Sequence, residues 1–246
     1  MIGYHDALAR VLGGARLLAV QQVALAAAPG RVLGRDVVSA IALPPFDNAA
    51  MDGVALAAGG QPQAAGSEWE IAARIGAGDM PRDDAASAWE IMTGAPLPAR
   101  ADIVVPVERI EALAVRDAGA PRIRLLAQAE PGANIRRRGE DVPAGCVVLK
   151  QGTFVGDAQM LLLAGLGIDR VDVARRPRVA VLATGRELVA PGQPLPPGGI
   201  HDATSPYLAA ALATAGAEAV RVVRVGDEVA DFQTALDTAL ADGVDL

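Results

Sequence analysis

The sequence predicts an α+β multidomain chain: a helical and extended N-terminal region, a small all-β domain, and an α/β domain that has only begun when the sequence stops. Three observations predict it. Short apolar runs separated by Gly, Pro and Asp clusters fill residues 54–137 and read as β structure. From Arg175 onward strand and helix patterns alternate, the start of a parallel sheet with right-handed connections. Ahead of both lie a helix-period segment and a proline-stiffened extended stretch.

Each element follows from its own residues. In "HDALARVLGGARLL", Ala7, Leu8, Val11 and Leu12 recur on one helical face, and Asp6 stands where a cap belongs. After Gly30, "RVLGRDVVSAIALPPFDN" reads as a short helix or turn running into an extended stretch. Pro44 and Pro45 end any helix and any central strand there. "EWEIAARIGAGD", "AWEIMTGAPLP" and "ADIVVPVERIEAL" supply short strands, with Trp69 and Trp89 as sheet packing. "PRIRLLAQAE" turns Arg122 and Arg124 outward and Ile123 and Leu125 inward, and "DAGAP" before it is a hairpin turn. "PGANIRRRGEDVPAGCVVLKQGT" is a loop-rich return passage. "PRVAVLATG" is a buried strand ending in a glycine turn. "SPYLAAALATAG" is a helix with Ser205 as N-cap, Pro206 at the first helical position and Gly216 after the last turn. "EAVRVVRVGD" is a second strand. "EVADFQTALDTALADG" is a second helix with Val229, Phe232, Ala235, Leu236 and Leu240 on one side, and "VDL" begins a third strand.

Composition excludes several classes. Hydrophobic residues make up 52% and aromatic residues 3%, so a core must be built largely from Ala, Val and Leu. No apolar run reaches membrane-span length, and the start lacks a basic region followed by a long apolar core, so neither membrane nor secretory leader is expected. Cys146 is the only cysteine, which excludes an internal disulfide and a cysteine-cluster zinc site. A cytoplasmic protein fits. A net charge of -7 argues against a general nucleic-acid binder. An anionic ligand would need a bridging cation or local arginines.

Chemistry is expected at the carboxyl ends of the α/β strands. Those ends carry "TGREL" (184–188) and "GDE" (226–228), and "HDATS" (201–205) precedes a helix whose free N–H groups could hold an oxyanion. Glu187, Asp202 and Asp227 fall near one edge. Structural readings stay open beside this: Asp202 orienting the helix start, Asp227 capping the helix after it. There is no phosphate-binding loop and no GxGxxG after a strand. His201 beside Asp202 lacks an elbow serine and is not read as a catalytic pair. In "LPPFDNAAMDG" (43–53), Asp47 and Asn48 read as turn-formers bonding their own backbone.

Five stretches together resemble one family: "LPPFDNAAMDGVAL", "IMTGAPLPARADIVVPVE", "GANIRRRGEDVPAG", "RPRVAVLATGREL" and "GGIHDATSPYLAAALATAGAE". In this order they resemble the successive signatures of the molybdopterin molybdenumtransferases, the family that includes the gephyrin E domain, and they cover essentially the whole chain. The resemblance implies insertion of molybdate into adenylylated molybdopterin with release of AMP, using Mg²⁺ or another divalent cation. It implies a homodimer of elongated subunits, with molybdopterin adenylyltransferase as a possible partner and no nucleic acid. It implies a linker and dimerisation domain over 1–45 plus 138–174, a β domain over 46–137, and a three-layer molybdopterin-binding α/β domain over 175–246, incomplete at its C-terminus.

The same resemblance carries catalytic roles to Asp52, Thr93, Asp141, Glu187 and Asp227, with Asp52, Glu187 and Asp227 as metal ligands. It carries substrate contacts to Thr184, Gly185, Asp202, Ser205 and Arg137. Asp52 would be presented by a loop held rigid by its prolines and Gly53. Three positions depart from the family pattern: Arg186 where Asp is usual, Thr204 where Asn is usual and Val54 where Tyr is usual. Arg186 could pair with Glu187 and weaken metal binding, or contact a phosphate. The family continues into a glycine-rich loop and a further β domain, so these 246 residues alone are expected to be a poor transferase. The alternative function is a non-catalytic molybdopterin-binding or scaffold module that keeps the fold.

Overall fold

The computed structural model describes residues 2–16, 18–80, 85–114 and 119–246. It is α+β and multidomain, as the sequence predicts, and divides into two compact units. One is Val38–Val148; the other joins Met1–Val37 to Leu149–Leu246.

The Val38–Val148 unit is built on two sheets. Four strands run in the order Arg74–Ile75, Ala88–Ile91, Gly53–Leu56 and Ile103–Pro106. Gly53–Leu56 is antiparallel to both of its neighbours. A second, antiparallel sheet runs Glu68–Glu70, Arg122–Leu125, Ile110–Leu113. The Gly53–Leu56 strand is buried at every position. Val54 and Leu56 join Ile103, Val105, Ile123 and Leu125 in one apolar cluster. Ala55 joins Trp89, Ile91 and Val104 in another. A strand covered on both faces needs apolar side chains at successive positions, which is what "GVAL" supplies. Trp89 is fully buried and gives bulk to a core that is otherwise aliphatic. Arg122 and Arg124 point outward onto Glu68, at 2.6 and 2.7 Å. Part of the predicted hairpin turn at 117–121 lies outside the described residues.

Gly53 is fixed by a steric limit. A Cβ at this position would stand 1.9 Å from the Val105 carbonyl oxygen. No rotamer relieves a clash with backbone, so only glycine lets the central strand pair here.

In the other unit, Val20–Ala24 pairs antiparallel with Arg170–Ala174. Helix Asp157–Gly165 places Leu163 into a cluster with Ala28, Leu33, Val155, Val171 and Val173. The α/β part begins with Arg178–Thr184, parallel to Glu218–Val225, and helices Thr204–Thr214 and Val229–Ala241 pack on both strands. No strand forms at 244–246, where a third was predicted, although this segment does bond the first strand: Asp245 N donates to the Arg178 carbonyl at 2.7 Å, and Ala180 N to the Leu246 carbonyl at 2.9 Å. Asp245 also accepts both Nη groups of Arg175 and the Arg178 N–H, which hold its carboxyl down at about 2.

Helix ends differ from the sequence expectation. The helix predicted to start at Ser205 begins at Thr204 after Ala203, which places Pro206 third. Its first turn is satisfied from outside: Asp202 Oδ1 accepts the Ser205 N–H at 2.9 Å. A carboxylate preceding the cap reached the free N–H first, so Ser205 is not the cap. Asp6 lies inside the first turn of helix Tyr4–Gly13, whose N-cap is Gly3. That helix leaves Tyr4, Val11 and Leu12 exposed, and helix Val229–Ala241 leaves Val229 and Leu240 exposed, although the predicted stripes are there. Among the described residues no helix is long and apolar enough to cross a membrane.

Two stability outcomes follow. Gly53→Ala forces the central strands apart and lowers unfolding free energy by about 1–3 kcal/mol, the range for overpacked cores, as urea titration will show. Asp245→Asn destabilises near neutral pH. Because the native carboxyl titrates at about 2 and a free one near 3.8, the difference from wild type is full above that free value. It shrinks as pH falls toward 2, which thermal melts across an acid series will read.

Candidate functional site

Three of the signature stretches meet in the Val38–Val148 unit through backbone hydrogen bonds. Segment 43–53 receives Leu97 N on the Asp47 carbonyl and Gly94 N on the Ala49 carbonyl, at 2.9 and 2.8 Å. It receives Gly139 N on Pro44 and Asp141 N on Leu43, at 2.9 and 3.0 Å. Asn48–Ala49 also pairs antiparallel with Ile135–Arg136. Loops 43–53, 92–97 and 134–142 are therefore one fastened surface.

Asp52 and Thr93 come together on that surface. Asp52 Oδ1 accepts the Thr93 N–H at 2.6 Å and the Thr93 hydroxyl at 2.7 Å. The backbone N–H, then the hydroxyl, hold the Asp52 carboxyl below the usual aspartate range. Both bonds fall on Oδ1, and the residue is exposed. The Asp52 carbonyl is held too, by the Val107 N–H at 3.0 Å.

Asp141 and Arg137 are bound differently. Arg136 donates to both Glu140 and Asp141. Arg137 Nη1 donates to Asp47 Oδ2 at 2.7 Å, and the Arg138 N–H to Asp47 Oδ1 at 2.8 Å. Asp47 is thus not the local turn-former expected of it, because its carboxylate ties down the arginine loop. Asn48 does bond locally, to the Phe46 carbonyl at 3.2 Å. That loop link was invisible in sequence, since Asp47 and Arg137 are 90 residues apart.

In the α/β part, Thr184 and Val225 end their strands in register. Leu188–Val189 then pairs parallel with Ile200–His201: Ile200 N donates to the Glu187 carbonyl at 2.9 Å and Asp202 N to the Val189 carbonyl at 2.8 Å. The Glu187 carboxylate folds back over Gly185: a Cβ there would stand 2.6 Å from Oε2, and φ is +145°. The positive φ favours glycine here, whereas the Glu187 carboxylate, at the end of a flexible side chain, could move aside. Arg186 does not favour Glu187; its Nε lies 3.9 Å from Asp227 Oδ2. The N-cap of the following helix is Glu228, not Asp227. Asp202 is 1% exposed, and the Ser205 side chain and N–H beside it, with Arg224 further off, hold its carboxyl low against the burial that would raise it. Arg224 Nη1 stands 3.7 Å from Asp202 Oδ2. Sequence reasoning missed Arg224. The available signal was its place one residue from the end of the second strand.

Among the described residues no group of three or more His, Cys, Asp or Glu side chains could hold a metal ion. Glu187 and Asp227 do offer the hard oxygen donors that Mg²⁺ takes, and Mg²⁺ ordinarily uses only one or two carboxylates beside water and substrate phosphates.

The family profile of the MoeA N-terminal region (domain I and II) matches residues 2–167. The chain belongs to the MoeA family. A second profile, described as "Probable molybdopterin binding domain", matches residues 180–246. Similarity to this MoeA-family chain extends along its length. It is 44% identical over 226 residues to molybdopterin molybdenumtransferase 2 of Mycobacterium tuberculosis, covering 89% of this chain and 54% of that protein. It is 32% identical over 233 residues to molybdopterin molybdenumtransferase of Bacillus subtilis, covering 93% and 54%. A molybdopterin biosynthesis moeA protein from Pyrococcus horikoshii superposes with a TM-score of 0.88 at 29% identity, over 100% of this chain and 65% of that one. The chain spans about half the length of the curated relatives it matches.

The Asp52–Thr93 geometry has a direct test. Thr93→Val removes the hydroxyl and keeps the N–H, so the Asp52 pKa rises part of the way to the ordinary aspartate value. A carboxyl-carbon NMR titration of wild type and variant reads it.

Proposed function

We propose that this chain acts in molybdenum cofactor biosynthesis, in the step that inserts molybdate into adenylylated molybdopterin and releases AMP, and that it does so as a cytoplasmic homodimer. The observation that carries the reading is the Asp52–Thr93 clasp, an exposed carboxylate kept ionised and aimed by a turn from another signature stretch. Family membership supports it, and the named activity of the relatives supplies the reaction class.

The roles follow from the chemistry each group can perform. Insertion exchanges molybdate oxo ligands for dithiolene sulfurs and breaks a phosphoanhydride. Ionised Asp52 accepts a proton or a hydrogen bond from the ligand, and Thr93 fixes its direction. Asp141, fastened by Arg136, and Arg137, fastened by Asp47, frame the same surface. Thr184, Gly185, Asp202 and Ser205 shape the pterin-binding end of the α/β strands, with Glu187 and Asp227 beside them. Mg²⁺, held by Asp52, Glu187 or Asp227, would neutralise pyrophosphate charge. Molybdopterin adenylyltransferase is the partner that would hand over the substrate.

A scaffold reading has one observation in its favour: Asp227 faces the Arg186 guanidinium, which competes with any metal for it. One experiment separates the readings. Asp52→Ala, made in a chain extended to the length of the curated relatives, is expected to abolish molybdate insertion while the melting temperature stays within about 3 °C, since the lost side chain is exposed. Unchanged turnover removes Asp52 from the site. Pterin binding by wild type without any turnover supports the scaffold.

A further inference from the structure

We propose that the cavity lined by Arg16, Arg31, Arg175 and Arg176 binds a phosphate dianion, free or carried by a small ester. The proposal is independent of the molybdopterin reading. Pro177 and Gly216, just ahead of the paired strands Arg178–Thr184 and Glu218–Val225, also line this cavity. It therefore lies where those strands begin, away from the ends marked by Thr184 and Val225.

Arg31 is the central observation. It is the one buried basic side chain among the described residues, at 8% exposure. Its backbone is fully used: the N–H donates to the Ala28 carbonyl at 3.0 Å, and the carbonyl accepts the Val155 N–H at 2.8 Å. Its guanidinium makes one hydrogen bond, from Nη2 to the Ala174 carbonyl at 2.8 Å. Among the described residues no carboxylate pairs with it. Burying a charge without a counter-charge is costly. Arg10 and Arg109 also lack a carboxylate partner, but they are exposed and hydrated, so no such cost arises there.

The neighbours add positive charge instead of offsetting it. Burial, and then the charge of Arg176, push the Arg31 guanidinium below the ordinary arginine value. Arg175 follows Ala174, the residue that accepts Arg31, and it alone of the four lining arginines has a carboxylate partner, Asp245. No acidic side chain lines the cavity. In a chain of net charge -7 this wall is a local exception, and it is the kind of surface that attracts an anion. Guanidinium forks match phosphate oxygens in pairs.

Size and the remaining wall define the ligand further. The cavity holds about 310 Å³, at the small end of ligand sites and more than a free phosphate fills. Val32 and Phe154, 40% and 60% exposed, line it as well, and a backbone bridge pairs the two residues. Arginines beside an apolar surface suit an ester whose phosphate meets the cations and whose body meets Phe154.

The test is calorimetry on the whole chain in chloride buffer with EDTA, with inorganic phosphate and phenyl phosphate as probes. Both are expected to bind, phenyl phosphate more tightly; equal Kd values for the two assign the site to free phosphate. Arg176→Ala, at an exposed position, is expected to raise Kd about tenfold, the loss of one charge-assisted contact. Arg31→Lys keeps the charge, loses the fork and weakens both probes. Phe154→Ala weakens phenyl phosphate alone. Arg170→Ala removes an exposed arginine that donates to Gln22 and does not line the cavity, so it leaves Kd unchanged. As a second readout, phosphate raises the melting temperature of wild type and does so less for Arg176→Ala. No binding of either probe by wild type overturns the proposal. So does equal Kd in wild type and Arg176→Ala, or an equal loss in Arg170→Ala, which would mean that net charge alone is felt. None of these outcomes touches the molybdopterin reading, which fails only if Asp52→Ala keeps its turnover.

Discussion

At residue 53 the two central strands of the β unit approach so closely that the Val105 carbonyl occupies the space of a side chain. Much of the unit's arrangement depends on that approach. It lets Gly53–Leu56 bury both faces, one toward Trp89 and the other toward Ile123 and Leu125. It also fixes the residue before it. Asp52 leaves the strand with its carbonyl bonded to Val107, so its carboxylate can point only where the backbone sends it. Thr93 meets it there because its own turn is pinned to Ala49. A rigid core and a positioned acid are consequences of the same contact.

Charge is organised on the same lines. In an acidic chain rich in arginine, six described guanidinium groups donate to carboxylates at hydrogen-bond distance, and exposed pairs of that kind contribute little to stability. Their effect is positional. The Asp47 carboxylate joins two stretches far apart in sequence, and Asp245 gathers Arg175 and the Arg178 backbone at the base of the parallel sheet. At the opposite end of those strands the pairs loosen to nearly 4 Å.

Much of this was legible in the sequence. The strand runs, the Arg122/Ile123 alternation and the parallel strand–helix order are period signals, and the structure follows them. What the sequence hid has two physical sources. Local rules choose a partner by adjacency: Ser205 looked like a cap and Asp47 like a turn-former. In the fold, Asp202 is the nearer acceptor for the helix start, and Arg137 and Arg138 reach Asp47 across 90 residues or more. Competition between nearby partners is decided by three-dimensional distance. Arg186 illustrates the same point. Its neighbour in sequence is Glu187, but Glu187 curls over Gly185, and the carboxylate left in range is Asp227.

The candidate site and the core can be altered separately. The turn that holds Thr93 is closed by Ala95 N on the Met92 carbonyl and anchored by Gly94 N on Ala49. Neither bond involves Asp52's side chain. Loops 43–53 and 134–142 are likewise joined by backbone bonds and a short strand pair. The exposed carboxylate therefore receives its position from the scaffold and returns little to it. The same holds for Arg186, a solvent-facing side chain on a backbone set by Gly185 and the Leu188–Val189 pairing. Asp202 is the exception: it is buried, it satisfies a helix N–H, and it faces Arg224. Changes at Asp202 disturb a buried helix start, whereas the side chains of Asp52 and Arg186 can be altered at little cost to the fold.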